Sequence, residues 1–235
     1  MTLTTLGYAF IGGLLPAFIW LYFLLKEDSR CPEPKAIIAL AFVAGMIAVV
    51  FTIPIEKYVQ STLTTGSLLT AWALIEEVLK YGAAALFILW RPAVDEAPDY
   101  VIYMITVALG FAAAENMLFL LTPFASGQVA AGIFTSDMRF IGSNLLHVIA
   151  SATIGFSLAF SSKSTPHVRL LMSSGGLILA IALHTAFNAL IMTQGASTTI
   201  TALFLVWIAA VVFLATFEVL KYFQYRNLPS NTCQS

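Results

Sequence analysis

Seven apolar runs dominate this 235-residue sequence and constrain its fold more than any other feature. An apolar run of about 18 or more residues can cross the ~30 Å hydrocarbon layer of a membrane as a helix. The sequence therefore predicts an all-α, polytopic membrane protein. One bundle of about seven transmembrane helices forms a single domain over residues 1–235, with spans at 3–25, 36–55, 68–90, 100–121, 140–161, 170–193 and 197–220.

The charge content supports this class of protein and excludes others. Only 10% of the residues are charged and the mean hydropathy is +0.91, whereas about a quarter of a soluble protein is charged. A net charge of −1 leaves no basic surface for nucleic acid, so the lipid bilayer is the expected partner. The first run has no basic residue ahead of it and is too long for the apolar part of a signal peptide, so we expect a retained helix.

The distribution of lysine and arginine predicts the orientation. Eight of the 11 basic residues fall in segments 26–35, 91–99 and 162–169 and in the tail after 220, while only Lys57 and Arg139 fall on the opposite side. Because basic loops stay cytoplasmic, the N-terminus is predicted outside and the C-terminus inside a bacterial-type inner (cell) membrane. Cys31 and Cys233 then lie on the reducing side, where free thiols are expected.

Six ionisable side chains lie well inside the apolar runs, away from their ends, although a charge at the bilayer centre costs at least ~2.5–3.5 kcal/mol. Helical spacing joins them to each other and to neutral polar residues on single helix faces. Glu76 and Glu77 precede Lys80 by four and three residues. The remaining members of the set are Glu115 beside Asn116, His147 four residues before Ser151, and His184 four residues before Asn188.

The predicted topology brings these groups to one depth. Counted from the outer end of each span, Glu76, Glu77, Glu115, His147 and His184 are six to nine residues in. At 1.5 Å of rise per residue, all five lie roughly 9–14 Å below the outer surface, although their helices alternate in direction. Four helices thus deliver polar groups to one layer, which indicates a single site in the outer half of the membrane.

The residue types in this layer favour hydrolysis. A desolvated carboxylate suits a general base, and imidazole and carboxamide donors can stabilise an oxyanion. The sequence contains no Gly-x-Ser-x-Gly elbow, no His-Glu-x-x-His motif and no cysteine in the layer, so the serine, thiol and zincin routes lack their motifs. Water activated by carboxylate remains, with or without a metal.

Four ordered motifs resemble those of the PrsW family of intramembrane proteases. They are Glu76-Glu77-Val78-Leu79-Lys80, Phe111 to Glu115-Asn116, His147 to Ser151 and His184 to Asn188, which match the patterns EExxK, FxxxEN, HxxxS and HxxxN. Ala112 departs from the pattern, since many members carry a second acidic residue there. The resemblance implies an endopeptidase that makes the first cut in membrane-anchored anti-sigma factors on the extracytoplasmic side, so a single-span membrane protein is the expected substrate.

A more distant similarity to the CAAX-type prenyl endopeptidases implies roles for individual residues. Glu76 corresponds to the base, and Glu77 with Lys80 would orient it, although the residues alone leave the two glutamates interchangeable. His184 and Asn188 correspond to oxyanion donors, and Glu115 to a second water-activating group. Asn116 and Ser151 are expected to support the site, and His147 and Ser151 have no firm counterpart.

Two alternatives stay open at this point. The metal-free glutamate mechanism needs no cofactor and is favoured, yet Glu77, Glu115, His147 and His184 have the donor types to hold Zn²⁺. The same buried groups could also form the relay of a proton- or ion-coupled transporter, against which the sequence shows no inverted-repeat pattern. A non-catalytic scaffold leaves the polar layer unexplained.

The outer segment 122–139 is expected to be an interfacial loop that covers the site or guides the substrate.

Overall fold

The computed structural model describes residues 3–28, 31–193 and 196–226. All regular secondary structure in these ranges is helical. The helices are α1 (Leu3–Glu27), α2 (Lys35–Thr62), α3 (Thr65–Phe87), α4 (Ala97–Ala125), α5 (Val129–Met138), α6 (Asn144–Ser161), α7 (Pro166–Met192) and α8 (Ala196–Tyr225). A π-helical turn, Arg139–Ser143, joins α5 to α6 without a break. The predicted all-α class is confirmed.

Seven long helical segments coincide with the seven apolar runs when α5, the π-helical turn and α6 are taken as one. Six of the seven are long and apolar enough to cross a membrane. The exception is α3, because Glu76, Glu77 and Lys80 lie within one turn and a half of its centre. The chain is therefore a multi-pass membrane protein, while the seventh crossing and the outside position of the N-terminus stay predictions.

Helix α4 forms the centre of the bundle and packs against α1, α2 and α6. Every residue from Pro98 to Ala113 is buried, as expected for a helix that is apolar on all sides and surrounded by others. Two glycines set the contact with α2. A Cβ on Gly45 would lie 1.9 Å from the backbone oxygen of Val107, and one on Gly110 would lie 1.9 Å from that of Phe42. The two backbones therefore touch, which fixes where α2 and α4 cross.

The segment 122–139 is not a loop. Helix α4 continues to Ala125, a short turn follows in which Gly127 has a φ of 75°, and α5 starts at Val129. Its apolar residues, which suggested an interfacial position, are instead part of a helix that runs on into α6. The physical reason is that the segment has few helix-breaking residues between Gly127 and His147, so the chain keeps its helical hydrogen bonds.

Cys31, in the connection between α1 and α2, is disulfide-bonded. The expectation of a free thiol is therefore wrong for this residue. That expectation followed from the predicted topology alone, and the lysine and arginine counts behind it carry no information on cysteine pairing. Cys233, the other cysteine of the sequence, lies outside the described residues.

Candidate active site

A cavity of about 530 Å³ opens among α2, α3, α4, the π-helical turn, α6 and α7. Five of the predicted site residues line it: Glu76, Glu115, His147, His184 and Asn188. Glu77, Lys80 and Ser151 lie directly behind this wall and have no exposed surface. The structure thus brings the residues of four separate helices into one cluster, as the common depth predicted.

On the buried side of the cluster, Lys80 contacts three of the other polar residues. Its Nζ donates hydrogen bonds to Oε1 of Glu77 at 2.6 Å and to Nδ1 of His147 at 2.8 Å, and lies 3.5 Å from Oε2 of Glu76. It also lies 4.6 Å from the centre of the Phe111 ring. Because a fully buried ammonium is costly without such partners, Lys80 holds α3 and α6 in a fixed relation.

Glu77 links Lys80 to His184. Nδ1 of His184 donates to Oε1 of Glu77 at 2.8 Å, and the Ser151 hydroxyl donates to Oε2 of the same carboxylate at 3.4 Å. Because the carboxylate accepts, Nδ1 of His184 carries a proton, and Nε2 is the nitrogen left for the cavity. This carboxylate–imidazole pair is the arrangement that orients a catalytic or metal-binding histidine.

His147 is held from both sides. Its Nδ1 accepts from Lys80, so Nε2 carries the proton and donates to Oε2 of Glu115 at 3.2 Å. The His147 and His184 rings meet edge to face, with centroids 5.2 Å apart. Glu115 in turn accepts a hydrogen bond from Arg139. His147 therefore connects the buried lysine to the outer carboxylate.

Glu76 differs from the other carboxylates. It is 5% exposed, and its Oε2 has no hydrogen-bond partner among the described residues. That oxygen lies 3.9 Å from Nδ1 of His147 and 3.9 Å from Nε2 of His184. A buried carboxylate oxygen without a partner costs free energy, and such atoms concentrate where a ligand, a water or an ion completes the site.

Among the residues of the cavity that sequence reasoning missed are Arg139, Glu56 and Trp72. Arg139, assigned only to topology, donates to Glu115 and to Asn116 and stacks 4.0 Å from the Phe119 ring centre. The sequence could have predicted this role, because Arg139 lies on the same four-residue spacing as Ser143, His147 and Ser151, which places all four on one helix face. Glu56 and Trp72 also line the cavity. Trp72 precedes Glu76 by one turn, and its buried indole N–H has no partner among the described residues.

Asn116 and Asn188 support the cluster in different ways. The Asn116 amide donates to Oδ1 of Asn144 at 2.6 Å, which ties α4 to the start of α6. Asn188 lies one helical turn beyond His184 and forms part of the cavity wall. The two carboxamides predicted from the motifs are thus on the same side of the bundle as the acids.

The donor set fits a divalent metal ion. One ligand atom from each of Glu76, His147 and His184 lies within 4.8 Å of the other two, and one carboxylate with two imidazoles is a common set for catalytic zinc. Oε2 of Glu76, which has no hydrogen-bond partner among the described residues, lies close to both imidazoles of this group. In the structure Lys80 occupies Nδ1 of His147, so metal binding through that atom requires Lys80 to move away. The predicted ligands Glu77 and Glu115 lie around this trio, paired with His184 and Arg139.

These features define a class: a multi-pass helical membrane protein with a buried carboxylate–imidazole site. Residues 33–216 match the family model described as "PrsW family intramembrane metalloprotease". The chain belongs to this family of membrane-embedded peptidases, which are hydrolases, and the resemblance drawn from the four motifs is confirmed.

Curated relatives give the same assignment. The chain is 30% identical over 152 residues to Protease PrsW of Geobacillus kaustophilus, a match that spans 62% of this chain and 63% of the relative. It is 24% identical to Protease PrsW of Clostridioides difficile, over 79% of each chain, and 24% identical to that of Bacillus subtilis, over 75% of this chain and 79% of the relative. No solved structure matches the chain.

Proposed function

We propose that this protein is an intramembrane endopeptidase that hydrolyses a peptide bond of a single-span membrane protein near the extracytoplasmic face. The observation that carries the proposal is Oε2 of Glu76, which has no hydrogen-bond partner among the described residues and lies 3.9 Å from a nitrogen of each imidazole, beside a cavity of about 530 Å³. The family and the curated relatives named Protease PrsW support the reaction class. An anti-sigma-factor-like protein is the proposed substrate, which follows from the motif resemblance.

In the proposed mechanism, Glu76 is the general base. It removes a proton from a water in the cavity, and the hydroxide attacks the scissile carbonyl carbon. The C–N bond then breaks, and the protonated Glu76 returns the proton to the leaving amine.

Surrounding residues position the base and stabilise charge. Glu77 and Lys80 form a fixed pair beneath Glu76. His184 serves as an oxyanion donor through Nε2 while Nδ1 stays bonded to Glu77, and Asn188 supplies a second donor one turn away. His147 and Glu115 form the opposite wall of the cavity, with Arg139 neutralising Glu115.

A zinc ion is the alternative source of the nucleophile. Glu76, His147 and His184 would hold it, and a bound Zn²⁺ supplies a polarised water and an electrophile for the carbonyl oxygen. Glu77 would then orient His184 through Nδ1. The engagement of His147 by Lys80 favours the metal-free route, in which no cofactor is required.

Co-expression with tagged single-span anti-sigma factors tests the function. We expect the wild-type chain to shorten one of them, and Glu76→Gln to reduce cleavage by at least about 10²-fold, since general base catalysis contributes 10²–10⁴-fold. Glu77→Gln and His184→Ala should also slow the reaction. Glu218→Gln is the matched control, because Glu218 is an exposed acid paired with Lys221 near the end of α8. Unchanged cleavage by both glutamine variants of α3 would refute the proposal.

Metal analysis of the purified protein distinguishes the two routes. The metal-free route predicts no stoichiometric zinc and full activity after chelation. One zinc per chain that is lost in His184→Ala, with activity restored by added Zn²⁺ after chelation, would establish the zinc route instead.

A further inference from the structure

A second space of about 540 Å³ lies beside the catalytic cavity. It is a groove between the first two turns of α1, residues 46–53 of α2 and residues 114–121 of α4, and every residue that lines it is apolar. Phe10 and Val50 on its rim are 52% and 65% exposed. Because these helices are long and apolar enough to cross a membrane, the groove faces the hydrocarbon layer.

The groove and the catalytic cavity are adjacent. Val49, Ile53 and Leu118 line both of them, so the two spaces meet at the seam between α2 and α4. The backbones of these helices touch at Gly45 and Gly110. Both spaces lie on the C-terminal side of that contact in each helix, where Glu115 directly follows the groove residue Ala114.

We propose that this groove receives the transmembrane helix of the substrate, which passes its scissile segment through the α2–α4 seam to Glu76. The proposal rests on the proposed function, because it requires a single-span substrate. The walls contain Gly7, Ala9 and Ala114, and small residues let a second helix approach closely within a membrane. A helix in the groove would be separated from the cavity only by the side chains that line both spaces, Val49, Ile53 and Leu118.

Two substitutions test the groove. A Cβ on Gly7 meets no atom within 4 Å, so Gly7→Phe projects into the groove. Gly175→Phe is its control, because Gly175 is also a helical glycine with open space around its Cβ. Val50→Trp narrows the rim, and Val211→Trp on α8 is its control, since both valines are 65% exposed.

The assay compares two substrates that carry the same cleavage sequence. One is a tagged single-span anti-sigma factor in proteoliposomes, and the other is its extracytoplasmic stalk as a soluble peptide without the transmembrane segment. We expect Gly7→Phe and Val50→Trp to lower the ratio of anchored to stalk cleavage by about tenfold, the effect of a binding loss of ~1.4 kcal/mol. The two control variants should keep the wild-type ratio.

Each outcome bears on the proposal. An unchanged ratio in both groove variants would overturn it, as would an equal loss with both substrates, which indicates damage to the fold or the chemistry. No cleavage of either substrate by the wild-type chain would refute the proposed function itself. A benzophenone at position 50 of the Glu76→Gln variant should crosslink the substrate's transmembrane segment, and one at position 211 should not. Crosslinking to lipid alone at both positions would also overturn the proposal.

Discussion

Replacing Lys80 by methionine is the sharpest test of how the site is held together. Lys80 is fully buried and contacts Glu77 at 2.6 Å, His147 at 2.8 Å and Glu76 at 3.5 Å. Methionine keeps most of the length and apolar volume of the side chain and removes the ammonium. The Glu77 carboxylate is then left in the interior with only His184 and Ser151 as partners.

The expected cost follows from this geometry. At an effective dielectric constant of ~20, two unit charges 2.6 Å apart attract by about 6 kcal/mol. Part of that attraction offsets the desolvation of the two groups, and removing one partner of a buried pair typically costs about 3–5 kcal/mol. For a chain of this size, 1 kcal/mol corresponds to roughly 2–4 °C in melting temperature, so Lys80→Met should lower Tm by about 10 °C.

Thermal unfolding of the purified protein in detergent measures this change. The double variant Glu77→Gln/Lys80→Met should recover at least about half of the lost Tm. Removing both charges leaves no unpaired charge in the interior, whereas removing Lys80 alone does. Lys57→Met is the control: Lys57 is exposed on α2, and its replacement should change stability by less than about 0.5 kcal/mol. A small effect of Lys80→Met, or a double variant less stable than the single one, would refute the reasoning.

Two further predictions concern other parts of the molecule. Burial, with Asp99 and Glu96 nearby, raises the pKa of Asp28 from 3.8 to about 7. The folded state therefore binds a proton that the unfolded state releases between those pH values, so stability should fall as pH rises from 3.8 to about 7. Asp28→Asn should reduce the change of Tm with pH, whereas Asp137→Asn, at an exposed position, should leave that change as in the wild type. The same dependence of Tm on pH in the Asp28 variant and the wild type would contradict the assignment. Gly45→Ala should cost about 2–3 kcal/mol, because its Cβ would overlap the Val107 carbonyl oxygen. Gly82→Ala is the control, because a Cβ on Gly82 meets no atom within 4 Å. It should be neutral or stabilise the protein by up to about 1 kcal/mol. Equal effects of the two alanine substitutions on the free energy of unfolding would refute the close contact of α2 with α4.

The spacing and depth of polar residues were enough to predict which of them share a site. Glu76, His147 and His184 stand on helices far apart in sequence, but each interrupts an apolar run at a similar distance from its end. A buried ionisable group must find a partner, and in a helical bundle the partners lie at the same depth. This is why the cluster could be predicted before the helices were arranged.

The pairing inside the cluster could not be predicted in the same way. The sequence suggested that Lys80 pairs with either glutamate on its own helix, yet it also reaches His147, 67 residues away. Arg139 looked like a topology signal, and only the continuous helix from α5 through the π-helical turn to α6 brings it to Glu115. Glu56 was missed because it follows directly after the predicted end of the second span.

Hydrophobic run length, charge scarcity and helical spacing determined the class of protein, the helices and most of the polar residues that cluster at the candidate site. These are local properties of the chain, since a helix satisfies its own backbone hydrogen bonds within a membrane. The tertiary structure decided that Oε2 of Glu76 has no hydrogen-bond partner among the described residues, which nitrogen of His184 bonds to Glu77, and that an apolar groove lies beside the cavity at the α2–α4 seam. Those features depend on the rotation and crossing of packed helices, which Gly45 and Gly110 fix through contacts between residues distant in sequence.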